Sequence, residues 1–185
     1  MSWLIAGLVL FFGMHVLSSL RLTRARIVAA LGEGPYKGIY SLVSLAGFGL
    51  IVLGMARSPQ IALWTPPAWG RPLALVVMPA ALILIAAAYI PGNLKRLTAH
   101  PMLWGVTLWA LLHLLVNGDL AGLLLFGAFG LYAPYAMVAQ TRRGVRPAQT
   151  PRPFAGDAGA IAAGLLAYAL LLKFHGALFG VAVLS

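Results

Sequence analysis

The chain has no cysteine and only three acidic residues in 185 positions, Glu33, Asp119 and Asp157. The first absence removes disulfides, thiolate metal sites and cysteine nucleophiles together. The second removes any mechanism that needs two carboxylates facing one substrate, because all three acids stand at the edges of apolar segments. Carboxylate-rich cation sites fail for the same reason. Neither an HExxH nor a CxxC spacing occurs, so a hydrolytic zinc site lacks its motif. Charged residues make up 9% of the chain, against about 25% in a soluble domain. Such a chain cannot cover its own surface with polar groups.

What is present is mostly hydrocarbon. The sequence is 62% hydrophobic, with a mean hydropathy of +0.94. A helix needs about 20 apolar residues to cross a bilayer. Six segments approach that length: 2–20, 38–56, 72–91, 101–117, 119–140 and 158–180. The expected fold is therefore all-α, a polytopic transmembrane helical bundle of about six helices forming one domain over residues 1–185. The stretch 21–37, with its Gly-Glu-Gly-Pro turn, reads as a connection. Residues 141–157, with four Arg and three Pro, read as irregular. Asn117-Gly118-Asp119 leaves room only for a tight helical hairpin. Gly34, Gly38, Ser41, Ser44 and Gly47 suit close helix packing, as do Gly122, Gly127 and Gly130.

The net charge of +10 does not indicate nucleic acid, because the cations cluster between apolar runs. With alternating spans, Arg21, Arg24, Arg26, Lys37, Lys95, Arg96, Arg142, Arg143, Arg146 and Arg152 fall on one side of the membrane. Only Arg57, Arg71 and Lys173 fall on the other. The positive-inside rule then places both termini outside the cytoplasm. No cation precedes the first apolar run, which reads as a retained helix rather than a cleaved signal.

Two of the four histidines lie inside apolar runs, His15 within Trp3 to Leu20 and His113 within Met102 to Val116. An ionisable side chain in hydrocarbon is costly unless paired, and so points to function. Two uses are open for each. One is a hydrogen bond to another helix, worth about 1–2 kcal/mol. The other is metal or haem ligation, for which imidazole is the commonest side chain. His100 and His113 are about 20 Å apart along one helix and cannot share an ion. His15 lies about 8–9 Å in from Arg21, so meeting His113 requires tilt or a shifted span. Two imidazoles on different helices without cysteine would suit a haem b, with Trp104, Trp109, Phe126, Phe129, Tyr132 and Tyr135 available as walls. Plain packing is the other use of those rings. His100, before Pro101 and near Lys95 and Arg96, and His175, near the outer end, read as interfacial.

The stretch Gly34-Pro35-Tyr36-Lys37-Gly38-Ile39-Tyr40-Ser41-Leu42-Val43-Ser44-Leu45-Ala46-Gly47 resembles the signature of the NnrU family of bacterial membrane proteins. Ala99-His100-Pro101-Met102-Leu103-Trp104-Gly105 is similar to a second block of that family, as is Trp109 to Leu120 around His113. The resemblance runs from His15 to about Met137. It implies a multi-pass protein of the bacterial inner membrane linked to denitrification, the reduction of nitrite and nitric oxide. Plant relatives include the zeta-carotene cis–trans isomerase, which uses haem b. By resemblance His15 and His113 match iron-ligand positions, and His100 is a third matching histidine at a cofactor. Ala99 departs from the pattern, standing where relatives often carry Arg.

Three readings follow from the resemblance. The first is a haem protein acting on a nitrogen oxide. The second is a haem-dependent isomerase-like enzyme acting on an apolar isoprenoid that enters from lipid. The third is a non-catalytic assembly or expression partner of respiratory nitrogen-oxide reductases. The His-Pro-x-x-x-Gly piece is also similar to membrane methyltransferases, but residues 141–157 lack the acidic or Asn-rich loop a methyl donor needs.

Overall fold

A computed structural model describes residues 1–181 and 183. Among them 79% are helical and none forms a strand. In hydrocarbon every backbone N–H and C=O must be satisfied within the protein, and a helix does so within one segment. The helices are α1 (Ser2–Ser19), α2 (Arg21–Leu31), α3 (Glu33–Arg57), α4 (Gly70–Tyr89), α5 (Leu94–Leu97), α6 (Pro101–Val116), α7 (Leu120–Arg142) and α8 (Phe154–Phe179). Five of these, α1, α3, α4, α7 and α8, are long and apolar enough to cross a membrane. The all-α expectation holds, with two helix starts moved, two further helices, α2 and α5, between the expected spans, and α6 too short to count among the five.

Helix α3 starts at Glu33, not at 38. The Gly-Glu-Gly-Pro stretch is a helix start rather than a turn. Gly32 takes φ +87°, ending α2 and opening α3, a conformation open to glycine because it lacks a Cβ. Pro35 then falls in the first turn of α3, where no amide is missed. Residues 21–31, expected as a connection, are helical in α2. No side chain of α2 is fully buried, and the Arg24 guanidinium sits 5.5 Å from the centre of the Tyr36 ring. Helix α8 likewise begins at Phe154 and α7 runs to Arg142, so only 143–153 of the stretch 141–157 lies outside helix. Helix α6 has 16 residues, about 24 Å of rise, short of a hydrocarbon core of about 30 Å.

The chain forms two compact units, one of Met1–Ile61 and Asp119–Leu125, the other of Ala62–Gly118 and Phe126–Ser185. In the first, α1 and α3 run antiparallel. Met1 lies by Ser58, Gly7 by Ile51 and Phe11 by Gly47. The approach is backbone on backbone. A Cβ on Gly7 would stand 2.6 Å from the Ile51 amide nitrogen and 2.8 Å from the Gly47 carbonyl oxygen. Gly54 meets the Leu4 backbone in the same way, and Leu4 is fully buried there. At Gly34 and Gly38, expected at a helix contact, an added Cβ would meet nothing within 4 Å.

In the second unit α4 packs on α6 and on α8, antiparallel to both. Gly105 of α6 meets the Ala81 carbonyl and Ile85, while Gly164 of α8 meets the backbone of Ile83. Residues two apart on a helix point about 200° away from each other, so α6 and α8 take opposite faces of α4. Helix α7 lies along α6 through Trp109 with Phe126 and Phe129, and through Ala110 with Gly130.

Pro79 stands inside α4. It has no N–H, so the Leu75 carbonyl one turn earlier loses its helical partner. Tyr168 of α8 supplies a replacement, its hydroxyl donating to the Leu75 carbonyl at 2.8 Å. Tyr168→Phe leaves that carbonyl unsatisfied and is expected to cost about 1–2 kcal/mol, read as a lower melting temperature in detergent. Gly7→Ala is expected to cost about 1–3 kcal/mol through forced separation of α1 and α3. Gly13→Ala, in open space on the same helix, should leave the melting temperature level or slightly raised. An equal effect of the two glycine variants would refute the close-contact account.

Candidate functional site

Helix α6 carries His113 one turn after Trp109. The His113 ring is stacked on Phe126, with centroids 4.6 Å apart and planes at 27°. Trp109 lies 5.0 Å from it and is edge-on to both Phe126 and Phe129. Of the rings expected as cofactor walls, these three gather at a histidine. Trp104 and Tyr135 are exposed, and Tyr132 pairs with Tyr135.

The His113 Nδ1 lies 2.8 Å from the Trp109 carbonyl oxygen. A carbonyl only accepts, so Nδ1 carries the proton and donates it. In the neutral ring the lone pair is then on Nε2. The sequence suggested a bond to another helix; the bond found is within α6, to the carbonyl four residues back. It holds the ring without using a neighbouring helix.

His15 repeats the arrangement in the other unit. Its Nδ1 donates to the Phe11 carbonyl at 2.7 Å, and its ring stacks on Phe11 at 4.2 Å. Tyr40 of α3 lies 5.4 Å away, centroid to centroid. Each intramembrane histidine thus follows an aromatic residue by one turn, donates to that residue's carbonyl and keeps its lone pair on Nε2. The two lie in different units, and each arrangement stands by itself.

His100 is built differently. It is the residue before α6, buried to 8% exposure, with Nε2 2.8 Å from the Thr141 hydroxyl at the end of α7. Its Nδ1 is buried without a hydrogen-bond partner. His175, in the last turns of α8, donates from Nδ1 to the Val181 carbonyl at 2.7 Å. Among the described residues no three His, Asp or Glu side chains converge as a metal site.

A polar cluster at the start of α8 was not visible in the sequence. Asp157, in the first turn of α8 and only 6% exposed, accepts from the Asn93 side-chain amide at 2.7 Å and from the Leu94 backbone N–H at 2.9 Å. Asn93 also donates to the Arg152 carbonyl at 2.8 Å and accepts from the Arg152 N–H at 3.0 Å. Lys95 donates to the Ala88 carbonyl in the last turn of α4 at 2.7 Å. The signal available was a lone acid at the head of a long apolar run, where the helix dipole favours negative charge.

Long apolar helices, glycine contacts and intramembrane histidines together define an all-α integral membrane protein. Its family follows from the whole chain: the model described as NnrU protein matches residues 3–183, and the chain belongs to the NnrU family. No curated protein and no solved structure matches it significantly.

Thr141→Val removes the one partner of a buried imidazole. It is expected to cost about 1–3 kcal/mol, seen as a lower melting temperature. Thr107→Val, which removes only a hydroxyl donating to the Leu103 carbonyl of its own helix, should be nearly silent. The reverse order would contradict the placement of His100.

Proposed function

We propose that this NnrU protein binds haem b, with His15 and His113 each an imidazole ligand candidate, and serves the reduction of nitrogen oxides. The observation that carries the reading is the shared tautomer. Each histidine directs Nδ1–H to its own helix, to the Phe11 and Trp109 carbonyls, and so has its lone pair on Nε2. A ligating imidazole ordinarily donates its other N–H to a carbonyl or carboxylate, which fixes the ring and raises its basicity. The Phe126 and Trp109 rings beside His113, and Phe11 beside His15, supply apolar surface and exclude water. The donor set suits iron in a porphyrin, being nitrogen without thiolate or carboxylate.

When bound, the haem would supply one-electron chemistry at a potential set by its ligands and by burial. The chain's own part is to hold two imidazoles in one tautomer and keep water away. His15 and His113 are the residues that would hold the group, and the chemistry it would supply is electron transfer. His100 lies outside the ligand pair in this reading, since Thr141 holds its Nε2. The link to nitrogen oxides rests on the family resemblance.

The test is the absorption spectrum of the detergent-purified protein, oxidised and then reduced with dithionite. The expected result is a sharp Soret band and split visible bands on reduction, lost in His113→Ala and in His15→Ala while the helical circular dichroism is kept. A flat visible spectrum after haem supplementation, or a normal spectrum in His113→Ala, overturns the assignment.

A further inference from the structure

A cavity of about 520 Å³ opens beside the polar cluster, lined by Asn93, Leu94, Arg96, Leu97, Gln149 and Phe154 among others. Its walls are tied together at several points. Asn93 and Arg152 exchange two hydrogen bonds, Asp157 holds Asn93 and the Leu94 amide, and the Ala148 N–H donates to the Lys95 carbonyl at 2.9 Å. The lining divides by chemistry. Arg96 and Gln149 offer N–H donors, while Leu97, 81% exposed, and Phe154, 74% exposed, offer apolar surface at the rim. Phe154 is also the first residue of a 26-residue apolar helix, so the cavity sits where a membrane span begins.

We infer that this cavity is a binding site for an anionic phospholipid. Arg96 and Gln149 meet the headgroup phosphate, and Leu97, Phe154 and Ile161 meet the first part of an acyl chain. Charge complementarity carries the choice of ligand. Helix α5, which lines the cavity, bears Lys95 and Arg96, and the segment that supplies Ala148 and Gln149 bears Arg142, Arg143, Arg146 and Arg152 between the end of α7 and the start of α8. The one acid in the lining, Asp157, is 6% exposed and accepts from Asn93 and Leu94 through its two oxygens, so it offers Arg96 little competition. Basic pockets of this kind at the ends of spans favour anionic headgroups over zwitterionic ones. The exposed leucine and phenylalanine separate a lipid from a free phosphate, which has no use for an apolar rim. The site is independent of haem binding.

The test is native mass spectrometry of the full-length protein titrated with phosphatidylglycerol and with phosphatidylcholine of the same chains. Wild type is expected to retain phosphatidylglycerol at least five-fold better. Arg96→Gln should bring the two lipids level. Leu97→Ser with Phe154→Ser should weaken phosphatidylglycerol at least three-fold, and millimolar inorganic phosphate should not displace it. Equal retention of the two lipids by wild type overturns the proposal, as does undiminished selectivity in Arg96→Gln. Displacement by inorganic phosphate, or indifference to the Leu97 and Phe154 changes, assigns the cavity to free phosphate and overturns the lipid. The selectivity of the wild type is read without any variant, so a misfolded Arg96→Gln protein would not blunt the test.

Discussion

Backbone-to-backbone contact at glycine is the constraint on which both units depend. Lipid tails are as apolar as leucine side chains, so little is gained by taking an aliphatic side chain from lipid into a helix contact. What remains is close packing, which rewards small residues. Gly7, Gly47 and Gly54 seat α1 on α3, and Gly105 and Gly164 seat α6 and α8 on α4. The buried positions follow the same logic. Ala81, Ala87, Ala110, Ala121, Ala133, Ala136 and Ala160 are nearly inaccessible, while many leucines and valines face outward. A soluble domain shows the opposite distribution.

Within that frame, some polar groups are satisfied within their own helix. The histidines of the apolar helices α1 and α6 each donate to the carbonyl four residues back. Others are met across helix contacts: the carbonyl orphaned by Pro79 by Tyr168, and the His100 ring by Thr141. The three acids obey one rule. Glu33 and Asp157 lie in the first turns of α3 and α8, and Asp119 accepts from the Gly122 N–H at the start of α7 at 2.9 Å. Each carboxylate stands at the positive end of a helix dipole. Their scarcity and their positions have one explanation: helix starts near the membrane surface are where this chain tolerates negative charge.

Much of the fold was legible because apolar length is a strong signal, and 2–20, 72–91 and 119–140 lie close to the observed helices. The errors cluster where polar residues were taken for loops. Residues 21–31 form a helix despite three arginines, since arginine is a good helix former. Pro35 was read as part of a turn, although it falls in the first turn of α3. At the site, His15 and His113 were legible as polar residues in apolar runs, and Trp109 four residues before His113 was legible too. The tautomer was not, because it depends on where a ring turns relative to a carbonyl. The Asn93–Asp157 bond joins residues 64 apart, a pairing no local pattern encodes. Pro79 announced an unmet carbonyl at Leu75, yet nothing in the sequence named Tyr168 as the group that meets it.

The two opposite faces of α4 have a bearing on biogenesis. Chains emerge from the ribosome in order, N-terminal segments first. Helix α4 precedes α6 and α8, and each of them finds a separate face of it. The later helices therefore never compete for one docking surface. The strand of synthesis reaches the bilayer with its hub already laid down, and each later span has an address waiting.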